Sequence, residues 1–192
     1  MKKIVLVFLA VAGLSVIKAQ AQMDDASMKS WQAYMTPGDM QKMLAKSDGN
    51  WNADITMWMD PAGAPTKTKG TCVNRMILGG RYQESINKSN FNGMPFEGRA
   101  LLGYDNAKKV FVYNWIDNMG TGMMFMEGKW NDATKTIEFS GTMVDPSSGA
   151  DMKVRETFQQ VDNDHQKMEM FMVMPGGQEM KTMEIAFVRA KK

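Results

Sequence analysis

The chain has one cysteine and one histidine in 192 residues. A single cysteine excludes an intramolecular disulfide. The two residues together exclude a Cys/His zinc site or a clustered-histidine metal site. Charge of one sign is not in excess: 23 Lys and Arg stand against 21 Asp and Glu, a formal net charge of +2. That balance excludes a dedicated nucleic-acid binder. There is no P-loop and no Gly-x-Gly-x-x-Gly after a strand, which removes the usual phosphate-cradling folds. What is abundant is methionine, 22 residues, within a chain that is 44% hydrophobic and 23% charged. Such a composition belongs to a globular protein rather than a disordered one.

The long apolar run is Ile4 to Ile17, preceded by Lys2-Lys3 and followed by Ala19-Gln20-Ala21. A basic start, an apolar stretch and an A-x-A site are the parts of a secretory signal peptide. The stretch is shorter than the roughly 20 residues of a comfortable membrane helix. Residues 1–21 are therefore expected to be cleaved after Ala21, leaving an exported chain with no integral membrane span. No cysteine follows the cut to carry a lipid. Loss of Lys2, Lys3 and Lys18 turns the formal charge from +2 to −1, so no basic stripe remains for nucleic acid or anionic lipid.

Residues 22–35 are polar and without clear periodicity, and read as a flexible lead to a single domain, 36–192. Thr36-Pro37-Gly38-Asp39 looks like a helix start, with Thr36 as cap and Pro37 at the first position; the helix would run to about Lys46 and stop at Gly49. From Trp51 the period becomes two. Ten β-prone runs follow: 51–57, 66–78, 81–89, 96–104, 109–116, 121–130, 135–144, 151–161, 166–174 and 179–189. Asx-rich connectors recur between them, among them Asp105-Asn106-Ala107-Lys108, Asn131-Asp132-Ala133-Thr134 and Asp162-Asn163-Asp164-His165. No helical period appears after Trp51. The expected fold class is all-β: an antiparallel meander of about ten strands, closed into a barrel because closure removes exposed edges, with a short N-terminal helix.

The alternation also assigns an inner face. With Trp51 inward, Ala53, Ile55, Met57 and Met59 are inward too. Cys72, Asn74, Met76 and Leu78 share a face, as do Met168, Met170, Met172 and Met174, and Met183, Ile185, Phe187 and Arg189. On the strand ending at Asp117, Phe111, Tyr113, Trp115 and Asp117 lie together. The expected cavity lining is therefore Met57, Met76, Tyr113, Trp115 and Asp117, with Met168, Met170, Met172, Met183 and Phe187 completing it. Cys72 reads as a small core residue.

Gly49-Asn50-Trp51, at the start of the first strand after a short helix, resembles the G-x-W signature of the calycins, the lipocalin and fatty-acid-binding barrels. That resemblance implies a basic residue of the last strand packed over the Trp at the closed end, and Arg189 is the residue so placed. A second resemblance covers Leu44 to Arg189. It rests on Met57-Trp58-Met59-Asp60-Pro61, Met76-Ile77-Leu78-Gly79-Gly80-Arg81-Tyr82, Gly93-Met94-Pro95-Phe96-Glu97-Gly98 and Gly103-Tyr104-Asp105-Asn106-Ala107-Lys108-Lys109. Trp115-Ile116-Asp117-Asn118-Met119-Gly120-Thr121-Gly122 and Met143-Val144-Asp145-Pro146 extend it. These are similar to the bacterial domain-of-unknown-function family fifteen-seventy-nine, mostly secreted or periplasmic proteins. The resemblance implies a calycin-like barrel and supplies no catalytic residues. Related nitrobindin-type barrels hold haem through a histidine, and this chain offers only His165, in an Asx-rich turn.

No catalytic set, metal ligand or cofactor is assigned. His165 has no positioned nucleophile beside it. Two carboxylates are candidates for acid–base work or for anchoring a ligand's polar head: Asp117, and Glu156 between Val154 and Phe158. If either points into the barrel it needs a donor such as Arg99 or Arg155. The thioethers of Met57 and Met59, Met124 and Met126, or the row from Met168 to Met174, suit soft Cu(I), but i and i+2 on one strand stand roughly 7 Å apart. The expected function is binding of a small apolar or amphipathic molecule in a Met- and aromatic-lined cavity. The alternatives are an enzyme with an acidic residue at the barrel mouth, or a Met-based Cu(I) binder.

Overall fold

The computed structural model describes residues 24–60, 63–174 and 176–191. The expected signal segment lies outside the described residues. Two helices, α1 (Asp25–Met35) and α2 (Asp39–Ala45), precede ten strands. The strands are β1 (Gly49–Met57), β2 (Thr66–Ile77), β3 (Tyr82–Phe91), β4 (Met94–Asp105) and β5 (Val110–Asp117). They continue as β6 (Met124–Asn131), β7 (Thr136–Val144), β8 (Asp151–Gln160), β9 (His165–Val173) and β10 (Glu179–Arg189). Each strand pairs antiparallel with the next in sequence, and β1 pairs with β10 to close the barrel.

Residues 25–35, which carry no periodicity in sequence, form a helix rather than an unstructured lead. Asp24 caps it by accepting from the Ser27 amide at 2.7 Å, and none of its residues is buried. Thr36 does not cap the next helix. Its hydroxyl donates back to the Gln32 carbonyl at 2.6 Å, and Gly38 is the N-cap of α2. Gln41 takes over the capping: its Oε1 accepts from the Gly38 amide and its Nε2 donates to the Tyr104 carbonyl. The cap thereby also docks α2 on the end of β4.

The Asx turns form as their chemistry requires. Asp105 accepts from the amides of Ala107 and Lys108, Asn131 from Ala133 and Thr134, and Asp162 from Asp164. These turns, with the 78–81 turn, all lie at one end of the barrel. That end is sealed by α2 and the start of β1. Leu44 and Ser47 are buried, Ser47 donates to Gln83, and Gln83 donates to the Leu44 carbonyl and to Asp48. The opposite end is ringed by residues 58–60, 63–65, 92–93, 118–123, 145–150, 174 and 176–178, with no helix across it among the described residues.

The register carries one inward set around the whole circuit. Trp51 lies opposite Cys72 and Arg189, Asn87 opposite Cys72 and Gly98, Leu102 opposite Tyr113, and Met126 opposite Tyr113 and Gly141. Phe139 faces Glu156, Glu156 faces Met170, and Met170 faces Met183. Two expected inward residues fall outside the strands and are exposed: Met59 at 77% and Leu78 at 68%. Met59 lies past the end of β1, and Leu78 is in the turn with φ +49°. Met174, past the end of β9, is also exposed.

Candidate functional site

The closed end is built on Trp51. Its Nε1 donates to the Ser47 carbonyl at 2.8 Å, and the Arg189 guanidinium sits 4.2 Å from the ring centroid. Arg189 also donates to the carbonyls of Asp48, Lys46 and Asn163 at 2.7 to 3.0 Å. A planar fork with five donors suits this role, because it can lie flat on indole while reaching carbonyls on both the α2–β1 and β8–β9 connections.

Above this floor the inner wall divides into two apolar clusters. One gathers Leu102, Phe111, Met124, Met126, Ile137, Phe139 and Val154 on β4 to β8; the other gathers Trp51, Ala53, Cys72 and Phe187 on β1, β2 and β10. Phe158 packs against both. Many inward side chains are only half-buried, among them Met76, Tyr113, Trp115, Met168, Met170, Met172 and Met183. On the inner face of a closed barrel, solvent reaches a side chain through the lumen or its mouth.

The structure brings the ten expected lining residues onto this inner face and gives them different roles. Asp117 does not present a free carboxylate. It accepts from Trp115 Nε1 at 2.8 Å and from the amides of Met119 and Gly120, so it fixes the indole and the loop after β5. Trp115 lies over Gly98, where a Cβ would run into the indole.

Glu156 is the free acid. It is 3% exposed, and its Oε2 has no hydrogen-bond partner. The expected donors are elsewhere: Arg155 faces outward to Glu179 at 2.7 Å and Arg99 pairs with Glu97 at 2.8 Å. Across the strands Glu156 meets only Phe139 and Met170, while Val154 and Phe158 lie two residues away on its own face. Burial pushes its carboxyl up to about 8, so at neutral pH it is mostly protonated. Tyr113 is raised well above its ordinary value, by burial first and then by Glu156 and Cys72. Cys72 is buried, donates to Asn74 Oδ1 at 3.1 Å, and is pushed up to about 12 by burial. Beside these three acids the inner face carries the amides of Asn74 and Asn87.

Alternation alone places Glu156 inward beside two apolar residues. Its lack of a partner comes from the cross-strand register, which sequence does not display. The same register adds inward methionines at the open mouth that spacing did not single out: Met143 opposite Met152, and Met180 opposite Met172. It also aligns Met57, Met183 and Met170 on three neighbouring strands.

A histidine-bound haem does not fit the inner face. His165 lies at the closed end, 52% exposed on its side chain, with Nδ1 at 2.9 Å from Asp162. Among the described residues no group of three His, Cys, Asp or Glu is placed to hold a metal ion. A shallow concavity of about 520 Å³ lies outside the barrel against Tyr82, Leu101, Val112 and Phe125. Its one acid, Glu127, is paired with Lys108.

Residues 36–189 match the family described as Protein of unknown function (DUF1579). The chain belongs to this family. No curated protein matches it. The DUF1579 barrel is similar to the crystal structure of Rv2717c from M. tuberculosis, at 12% identity and a TM-score of 0.61, covering 81% of this chain and all of that one. At that identity the likeness concerns the fold. Among the described residues of this DUF1579 chain no helix is long and apolar enough to cross a membrane.

Proposed function

We propose that the chain is exported and that its barrel holds a small apolar or amphipathic molecule in the methionine- and aromatic-lined lumen. The observation that carries this reading is Glu156, a carboxyl 3% exposed and unpartnered at mid-barrel. A buried polar group without a partner is costly, on the order of 1–3 kcal/mol, and a bound molecule would satisfy it. The half-buried inward methionines support the same reading, because unbranched thioethers adapt to varied apolar shapes.

Native mass spectrometry of protein purified without denaturation from an exporting host tests it. The expected result is a chain beginning at Gln22 that carries an excess mass of a few hundred daltons, lost on denaturation. A second reading rests on Met57, Met183 and Met170 being in register on adjacent strands. Three thioethers are a soft donor set for Cu(I), and an excess of one copper ion would favour it. A chain with neither excess mass nor uptake of any apolar probe would overturn the binding reading.

A further inference from the structure

The inner face is one-sided in its charge chemistry. Every lysine and arginine within the strands except Arg189 stands on an outward position, as the register around the circuit requires. Arg189 is held over Trp51 at the closed end. The inward ionisable groups above it are all acids: Cys72, Tyr113, Asp117, Glu156 and, at the end of β4, Tyr104. Asp117 is engaged by Trp115 and two amides. Among the described residues Glu156 alone has a buried side-chain oxygen without a hydrogen-bond partner, and its register with Phe139 and Met170 places it on the inner face. A carboxylate ligand would find no basic side chain there to hold it, and as pH rises past about 8 it would meet a like charge. An alcohol would satisfy Oε2 without gaining from the acid.

We propose that the lumen selects a hydrophobic amine, its ammonium held by Glu156 at mid-barrel and its apolar tail directed to the methionine-lined mouth. This rests on the lumen being a binding cavity. Phe139 across the strand and Phe158 two residues along supply aromatic rings beside Glu156, which suit a cation, and the Tyr113 hydroxyl is a further acceptor for an ammonium's three donors. Binding of the ammonium form ionises Glu156, so one proton leaves to solvent per amine bound at neutral pH. The groups facing Glu156 do not titrate in competition. Cys72 is pushed up to about 12, Tyr113 well above its ordinary value, and Phe139 on β7 and Met170 on β9 are neutral.

The test is calorimetry on the purified chain with octylamine, octan-1-ol and octanoate at pH 6, 7 and 8. Octylamine should bind more tightly than octanoate, with affinity rising about tenfold per pH unit up to pH 8 and with proton release visible in buffers of different ionisation heat. Octan-1-ol should bind without pH dependence. Glu156→Gln should weaken octylamine at least tenfold at pH 8 and abolish both the pH dependence and the proton release of its binding. Octanoate equal to octylamine, or a preference unchanged in Glu156→Gln, would overturn the amine assignment while leaving the cavity. Absence of binding by all three probes would overturn both.

Discussion

Replacing Glu156 by Gln is expected to stabilise this protein at neutral pH. The folded carboxyl is pushed from 4.5 up to about 8 by burial alone. An acid whose folded value is raised contributes no penalty below its unfolded value, because it is then protonated in both states. As pH rises above about 4.5 the unfolded chain loses the proton and the folded chain keeps it, so stability falls until pH passes about 8. At pH 7 the gap spans about 2.5 pH units, or about 3 kcal/mol at 1.36 kcal/mol per unit. Glutamine keeps the shape and removes the titration. The variant should therefore melt about 6–12 °C higher than the parent at pH 7, taking about 2–4 °C per kcal/mol for a chain of this size. The difference should shrink towards zero at pH 4.5. Glu97, Glu179, Glu184 and Asp162 are held below their ordinary values by ion pairs and hydrogen bonds. Their contributions have the opposite sign, are lost only as pH falls through the acid range, and cancel in the parent–variant difference. Thermal unfolding followed by circular dichroism from pH 4.5 to 8 measures it. A variant less stable than the parent at pH 7, or a difference independent of pH, would refute the reasoning.

Arg189→Ala removes a guanidinium over Trp51 and its bonds to three carbonyls, and should cost about 2–4 kcal/mol in urea unfolding; Arg189→Lys should restore less than half, since an ammonium lacks the planar fork. Gly98→Ala drives a methyl into the Trp115 indole that Asp117 holds in place, and should cost about 1–3 kcal/mol together with a shift in tryptophan emission. Gln83→Leu removes an acceptor of Ser47 and a donor to the Leu44 carbonyl and Asp48, while Ser47 still donates to Leu44 and Asp48 still accepts from Met76; a loss of about 1–3 kcal/mol and faster amide exchange in α2 are expected. The Cys72 thiol, pushed up to about 12, should resist a disulfide reagent at pH 8 in the native protein and react at once in denaturant.

The barrel was readable because period-two alternation and Asx turns are local signals that repeat. All ten strands lie within a few residues of their expected bounds, and Trp51 and Arg189 meet as the ends of one closed circuit must. Errors fell where local chemistry had competitors. Thr36 has the right type for a cap, yet its hydroxyl is taken by Gln32 and Gln41 does the capping. Helix α1 was missed because its apolar residues, Met28, Trp31, Tyr34 and Met35, are all exposed and mark no buried face. Met59 and Leu78 follow the alternation but lie beyond the strands that would turn them inward. In the candidate site, Asp117 and Glu156 look equivalent as inward acids. Which one is free depends on neighbours far away in sequence, Phe139 and Met170 for Glu156, and on a loop that closes over Asp117.

The central claim, that the lumen admits an apolar guest, is tested most directly by the protein's own methionines. With methyl-labelled methionine, a titration with octylamine followed by NMR separates inner from outer residues. The account predicts shifts at Met168, Met170, Met172 and Met183, with Met28 and Met35 on the exposed helix α1 unmoved. Shifts confined to the surface methionines, or none at saturating probe, would contradict it.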